Sequence, residues 1–262
     1  PCGGAPRSSE PRLTRRRMKD SQRRPIEDFA KVLHAIGRRH GAPAALVGEQ
    51  AVNAWASVYL ESLGSCLEPY LPFTSGDIDV AGSADLLLAL HRELGGELRI
   101  AGPRQLVHGT LYIGESGRGL ELDVLRVVGG VGSIRPSDTV PLELCGAVVP
   151  VLFPHLLLRG KLANATQLDQ RGRQDVKHVK ILVLVLGEFL RSLVRDVRPA
   201  DERAVLKVLQ EVLAILTSED AHRFAHTHRV SFRAVTPARE LGSASPRLQG
   251  FARGQLARAR IP

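Results

Sequence analysis

Apolar residues recur along the chain in two rhythms, one of helices and one of strands. Ile26, Phe29, Ala30, Leu33 and Ile36 fall three and four positions apart after Pro25, the spacing of a buried helix face with proline in its first turn, and Gly37 and Gly41 mark the end. Ala44 to Val47 is a short apolar run that reads as a strand. It turns through Gly48 into a second helix over GEQAVNAWASVYLESL, where Ala51, Val52, Trp55, Val58, Tyr59 and Leu63 repeat at helical intervals. After the loop LEPYLPFTS comes the strand GDIDVAG, then Ser83 as the N-cap of a helix from Ala84 to Leu94. Leu98 to Ala101 reads as a strand, His108 to Gly114 and Leu120 to Val128 flank the turn ESGRG as a hairpin, and Val148 to Phe153 makes a last strand stopped by Pro154.

Beyond Pro154 the period is helical almost throughout, in HLLLRGKLANATQL, VKHVKILVLVLGEFLRSLV and DERAVLKVLQEVLAILTS. These lengths and spacings suit a small helical bundle. The expected architecture is therefore an α/β (α+β) domain over 26–153, a mixed sheet flanked by helices, followed by a C-terminal helical bundle over 154–220.

Charge changes this picture at the ends. The formal net charge is +9, but residues 1–25 carry +6 and residues 221–262 carry +7, which leaves the middle at −4. Both ends are rich in Pro, Gly, Ser and Arg without sustained periodicity, so 1–25 reads as a disordered basic extension and 221–262 as a disordered basic tail. Such ends either grip nucleic-acid phosphates non-specifically or stay solvated without a partner. The single methionine is Met18, so the first 17 residues read as an upstream extension. The longest strongly apolar run, Ile181 to Leu186, is far short of the roughly 20 residues of a membrane span, and no apolar core of a signal peptide follows the basic N-terminus. The expectation is a cytoplasmic protein with no membrane partner, whose Cys2, Cys66 and Cys145 are reduced thiols.

Candidate chemistry begins with the two aspartates of GDIDV. Strand alternation puts Asp77 and Asp79 on one face while Ile78 and Val80 enter the core on the other. In GLELDVLRVV the same alternation puts Glu121 and Asp123 together, and pairing of that strand beside GDIDV would bring Asp123 to Asp77 and Asp79. Three clustered carboxylates do not all stay ionised without cations. Hard divalent ions, above all Mg²⁺, meet that need and commonly bridge to phosphates. Two such ions about 4 Å apart activate an attacking hydroxyl and stabilise a departing pyrophosphate, which is the chemistry of phosphoryl or nucleotidyl transfer. Gly48, where a strand enters a helix, offers a phosphate cradle, because a helix N-terminus presents free N–H groups and the positive end of its dipole.

In this order, LVG at a strand-to-helix turn, DID on the next strand and a lone Asp on a third, the chain resembles the nucleotidyltransferase superfamily that includes DNA polymerase β, the minimal nucleotidyltransferases and the AbiEii-type toxins. LVGEQAVNAW with PFTSGDIDV is similar to a bacterial subgroup of that family. The resemblance covers about residues 26–185 and implies two Mg²⁺ ions, an NTP such as ATP as donor, and transfer of a nucleoside monophosphate to an acceptor. It implies Asp77, Asp79 and Asp123 as catalytic metal ligands, with Asp123 helping to deprotonate the acceptor hydroxyl. It also implies Gly48, Glu49 and Ser75 around the nucleotide, Lys161 toward the phosphates, and Arg171 and Asp175 beyond it. The acceptor stays open among a tRNA end, a protein hydroxyl and a small molecule.

One position departs from the pattern. Where the family has a second glycine or a serine, this chain has Glu49. A carboxylate there complements the dipole of an empty helix by roughly 0.3 to 1 kcal/mol. Against a polyphosphate it costs on the order of 4 kcal/mol at 4 Å and an effective dielectric near 20. Glu49 therefore swings aside, ligates a cation, or marks a site without transfer activity. Two further readings stand beside the enzyme: a degenerate nucleotidyltransferase fold that binds or regulates, of the kind found in toxin–antitoxin systems, and a nucleic-acid-binding protein acting through its basic ends.

Overall fold

The computed structural model describes residues 23–39, 44–114 and 119–262. Gly41, expected to close the first helix, and most of the ESGRG turn lie outside these residues, as does the extension up to residue 22. The chain builds a seven-stranded mixed sheet in the order β3-β4-β5-β2-β1-β7-β6. Its strands are β1 (Ala45–Val47), β2 (Asp77–Ala81), β3 (Glu97–Ile100), β4 (Val107–Ile113), β5 (Leu120–Leu125), β6 (Thr139–Leu144) and β7 (Ala147–Leu152). Helices α1 (Ala30–Gly37), α2 (Gly48–Val58), α3 (Leu60–Leu63) and α4 (Ala84–Leu94) interrupt them. α5 (Pro154–Gln167), α6 (Asp175–Arg195), α7 (Glu202–Leu216), α8 (Glu219–His228), α9 (Ala238–Gly242) and α10 (Pro246–Phe251) follow. A mixed sheet flanked by helices and followed by a helical region is what the two rhythms of the sequence imply.

Two parallel pairings, β2 with β5 and β1 with β7, sit inside an otherwise antiparallel sheet. On one face Ile78, Val80, Leu111, Leu122 and Val124 are fully buried. α4 lies over this face, since a Cβ added to Gly109 of β4 would meet the Leu87 side chain at 2.8 Å. Ser83 caps α4 as expected, its hydroxyl accepting from Leu86 N–H at 3.1 Å. Trp55 of α2 anchors the helices to the sheet by donating its indole N–H to the Leu152 carbonyl at 2.9 Å, and its ring meets Phe189 of α6 edge-on. None of the described helices is long and apolar enough to cross a membrane.

Two expectations are corrected. β6, TVPLEL, was not anticipated as a strand; it is a sheet edge, where Pro141 faces Pro150 and a missing N–H is tolerated. The larger correction concerns the basic C-terminal end. Residues 221–262 are not a disordered tail: Phe224, Phe232, Val235, Leu241, Leu248, Phe251 and Ile261 are buried in the common core. The Ser and Pro residues that signal disorder in the sequence serve instead as helix starts, Ser231 capping the 3-10 turn at Phe232–Val235, Ser245 capping α10 and Pro246 in its first turn. Gly187 of α6 lets this segment approach, since a Cβ there would lie 3.1 Å from the Ala234 carbonyl. Arg24 is likewise ordered, exchanging backbone hydrogen bonds of 2.8 and 2.9 Å with Ser75.

Phe232 is fully buried between Phe224 and the chain end, where its N–H donates to the Pro262 carbonyl at 2.8 Å. Phe232→Ala is expected to lower the unfolding free energy by about 3 to 5 kcal/mol. Urea unfolding measures this, and a shift below about 0.5 kcal/mol, the size typical of surface substitutions, would contradict the packing described.

Candidate functional site

The register of β2 against β5 assembles the carboxylates. Asp77 pairs with Glu121 and Asp79 with Asp123. Four acids thus occupy two adjacent rows, on strands roughly 4.8 Å apart, facing away from α4. Glu121 joins the three aspartates that the sequence singles out; its alternation with Asp123 was the signal for it. From β4, Thr110 stands opposite Asp123 and its hydroxyl donates to Asp123 Oδ1, while Tyr112 stands opposite Glu121. Burial, then Glu121 and the other nearby carboxylates, push the Tyr112 phenol above its ordinary value. Asp123 is buried at 6% exposure, whereas Asp77 and Asp79 are half-buried.

Gly48 closes the site from the β1 side. Val47 pairs with Asp79, and the chain then enters α2 with Gly48 at φ +68°. A Cβ at Gly48 would lie 2.0 Å from Asp79 Oδ2, so both conformation and space demand glycine. The Asp79 carboxylate therefore lies against the start of α2, where the helix dipole favours negative charge.

Glu49, the second residue of α2, points toward α6. Its Oε2 accepts from Arg23 at 3.2 Å and lies 3.2 Å from the Ser75 hydroxyl, which is also 3.1 Å from Asp77 Oδ1. Glu49 Oε1 lies 4.0 Å from Nδ1 of His178, a fully buried residue of α6. Burial first, then the cations Lys161, Lys177, Arg23 and Arg173, hold the His178 imidazole well below its ordinary value and keep it neutral. Lys177 donates to the Pro72 carbonyl at 3.1 Å, and burial followed by Arg23 lowers its ammonium from the ordinary value.

The remaining residues expected near phosphates divide. Lys161 and Asp175 are buried and joined at 2.9 Å, and Arg173 holds the other Asp175 oxygen. Burial alone would raise the Asp175 carboxyl, but Lys161 and Arg173 outweigh it and hold the group below its ordinary value. Lys161 thus faces a carboxylate, within reach of His178. Arg171 is not its companion: it pairs with Asp169 on the surface, with 79% of its side chain exposed. Arg171 cannot form an intrahelical pair with Asp175, because α6 begins only at Asp175. Arg23, Lys177 and His178 escaped the sequence, Arg23 because it lies in an aperiodic basic stretch and the other two because α6 reads simply as a bundle helix.

The fit of a divalent cation can be judged from the donors. Asp77, Asp79, Glu121 and Asp123 supply only hard oxygens, the type that Mg²⁺ takes. Among the described residues no three His, Cys, Asp or Glu side chains are gathered closely enough to hold a metal ion as they stand. Ser75 engages Asp77 and Thr110 engages Asp123. The donor chemistry, four carboxylates of hard oxygen, is of the type a divalent cation takes. A cavity of about 470 Å³ lies elsewhere, among the loop at Gly129 and Gly130, α5, α7 and α8, and its lining includes none of these carboxylates.

No protein-family model matches the chain, and no curated protein matches it. Among solved structures it is similar to an antigenic nucleotidyltransferase-like protein from Paracoccidioides brasiliensis, with 16% sequence identity and a TM-score of 0.40. That match covers 70% of this chain and 92% of the other.

Removing Lys161 leaves buried Asp175 with Arg173 alone to compensate it, so Lys161→Met is expected to cost no more than about 3 kcal/mol in urea unfolding, the low end for a broken buried pair, and Lys161→Met with Asp175→Leu distinctly less. Asp175 also sets an acid limb. Unfolded, it takes up a proton near its ordinary 3.8, while the folded residue resists protonation. Its contribution is therefore full above that pH and drains away as pH falls below it. Asp175→Asn is expected to flatten this limb of the stability curve.

Proposed function

We propose that the protein is a Mg²⁺-dependent nucleotidyltransferase that transfers a nucleoside monophosphate from an NTP to a hydroxyl acceptor. The observation that carries this reading is the β2–β5 register, which sets Asp77 and Asp79 beside Glu121 and Asp123 next to the glycine turn at the start of α2. The family resemblance of LVG, DID and the later lone aspartate supports it.

In this reading Asp77, Asp79 and Asp123 hold the metal, which when bound supplies charge neutralisation at the phosphates and lowers the pKa of the attacking hydroxyl. Asp123 would accept that hydroxyl proton, a role supported by its burial and its hydrogen bond from Thr110. The acceptor oxygen bonds to the α-phosphorus, the α–β bridging bond breaks, and the electron pair leaves with pyrophosphate. The start of α2 at Gly48 offers backbone N–H groups to the phosphates. The ion pair between Glu49 and Arg23 favours a second reading, a site that binds without transfer.

Incubation of the full chain with each α-labelled NTP, Mg²⁺ and a whole-cell lysate distinguishes these. The expected result is label in the RNA, protein or small-molecule fraction. Asp79→Asn and Asp123→Asn should each reduce that labelling on the order of 100-fold or more, the equivalent of roughly 3 kcal/mol. Wild-type protein that neither labels any fraction nor binds an NTP by calorimetry in Mg²⁺ would overturn the transferase reading.

A further inference from the structure

Beside the carboxylate rows lies a second polar cluster that their chemistry does not use. It is formed by Arg23, Ser75, Lys177 and His178, with the Glu49 carboxylate in its centre. A glutamate in the first turn of a helix ordinarily projects into water. Glu49 is instead drawn in, with 18% of its side chain exposed, to meet Arg23 and Ser75 at 3.2 Å. His178 is fully buried, and neither of its ring nitrogens has a hydrogen-bond partner among the described residues. A buried imidazole without a partner is costly unless a ligand completes it. Its Nδ1 stands 4.0 Å from Glu49 Oε1, too far to donate a hydrogen bond to that carboxylate. A tetrahedral anion, larger and with more oxygens, reaches further across the same gap.

Charge points the same way. Arg23, Lys161, Arg173 and Lys177 all act on His178. Against these four cations stand three carboxylates: Glu49, Asp77 across the Ser75 hydroxyl, and Asp175, the last committed to Lys161 and Arg173. The cluster thus retains positive charge even with Glu49 in place. Ser75 connects it to Asp77, so it adjoins the metal-ligand face.

We infer that Glu49 is the resident occupant of an anion site: its carboxylate stands where a terminal phosphate of a polyphosphate ligand binds, and Arg23, Ser75, Lys177 and His178 receive that phosphate when it displaces Glu49. This rests on the polyphosphate reading of the neighbouring carboxylates, and it adds the groups that hold the far end of the ligand and the residue that competes with it.

The test uses inorganic tripolyphosphate with the full chain in metal-free buffer, so that the carboxylate rows contribute nothing favourable. Calorimetry should show weak binding to wild type and at least tenfold tighter binding to Glu49→Ser. Adding Arg23→Ala to Glu49→Ser should abolish the gain, and thermal melts confirm that the variants are folded. Equal affinity of Glu49→Ser and wild type would overturn the inference, as would a gain that survives Arg23→Ala. So would loss of Mg²⁺ affinity in Glu49→Ser without any gain in tripolyphosphate affinity, which would make Glu49 a metal ligand. A gain in tripolyphosphate binding in a protein that never transfers label would keep this anion site while removing the transferase reading.

Discussion

The site depends on the parallel pairing of β2 with β5. Ile78, Val80, Leu122 and Val124 enter a fully buried layer, so the alternate positions, Asp77, Asp79, Glu121 and Asp123, must share the opposite face. A slip of one residue would send the acids into the core, so the apolar layer holds the carboxylates side by side despite their repulsion. The contact of Asp79 with the start of α2 reduces the cost. Gly48 admits the carboxylate where any Cβ would exclude it, and the positive end of the helix dipole offsets part of its charge.

A second polar layer is set against the first by α6. That helix starts on Asp175, and within one turn it presents Asp175 to Lys161 of α5, His178 toward Glu49 of α2 and Lys177 to the Pro72 carbonyl in the loop before β2. The buried Lys161–Asp175 pair ties α5 to the start of α6. Such a pair contributes little net stability in comparison with apolar packing, but its geometry is exacting, which suits it to fixing where α6 begins. Ser75 joins the layers, its one hydroxyl lying between Glu49 and Asp77. Acidic and cationic halves therefore meet at a single small side chain.

Much of this was legible in the sequence because strand alternation and a strand–glycine–helix turn are local signals. Asp77, Asp79, Asp123 and Gly48 fall together for the reasons the pattern gives. What was not legible depends on contacts distant in the chain. Arg23 reaches Glu49 across 26 positions from a stretch whose composition reads as disorder. The residues after 220 look like a basic tail because Arg, Ser and Pro are scattered among the apolar residues there and break any sustained period. Yet a few aromatic and aliphatic side chains, spaced by short capped helices, suffice to bury the segment against α6 and α7. Arg171 illustrates the opposite case: expected beside Asp175 near the phosphates, it lies before the start of α6 and pairs with Asp169 on the surface.

Glu49 gives these two layers a resting state. A cluster of Arg23, Lys177, Lys161 and Arg173 with no anion among them would repel itself, and the segment carrying Arg23 would have less to hold it over the site. The glutamate balances part of that charge and favours the empty α2 by its dipole. Together with the Arg24–Ser75 backbone pairing it fixes the chain there. Under the proposed anion site, the same contacts oppose a polyphosphate, so stability of the empty protein and affinity for such a ligand would be set against each other at one side chain. Serine or glycine at this position would reverse that balance, leaving the cations for the ligand and the empty site less well held.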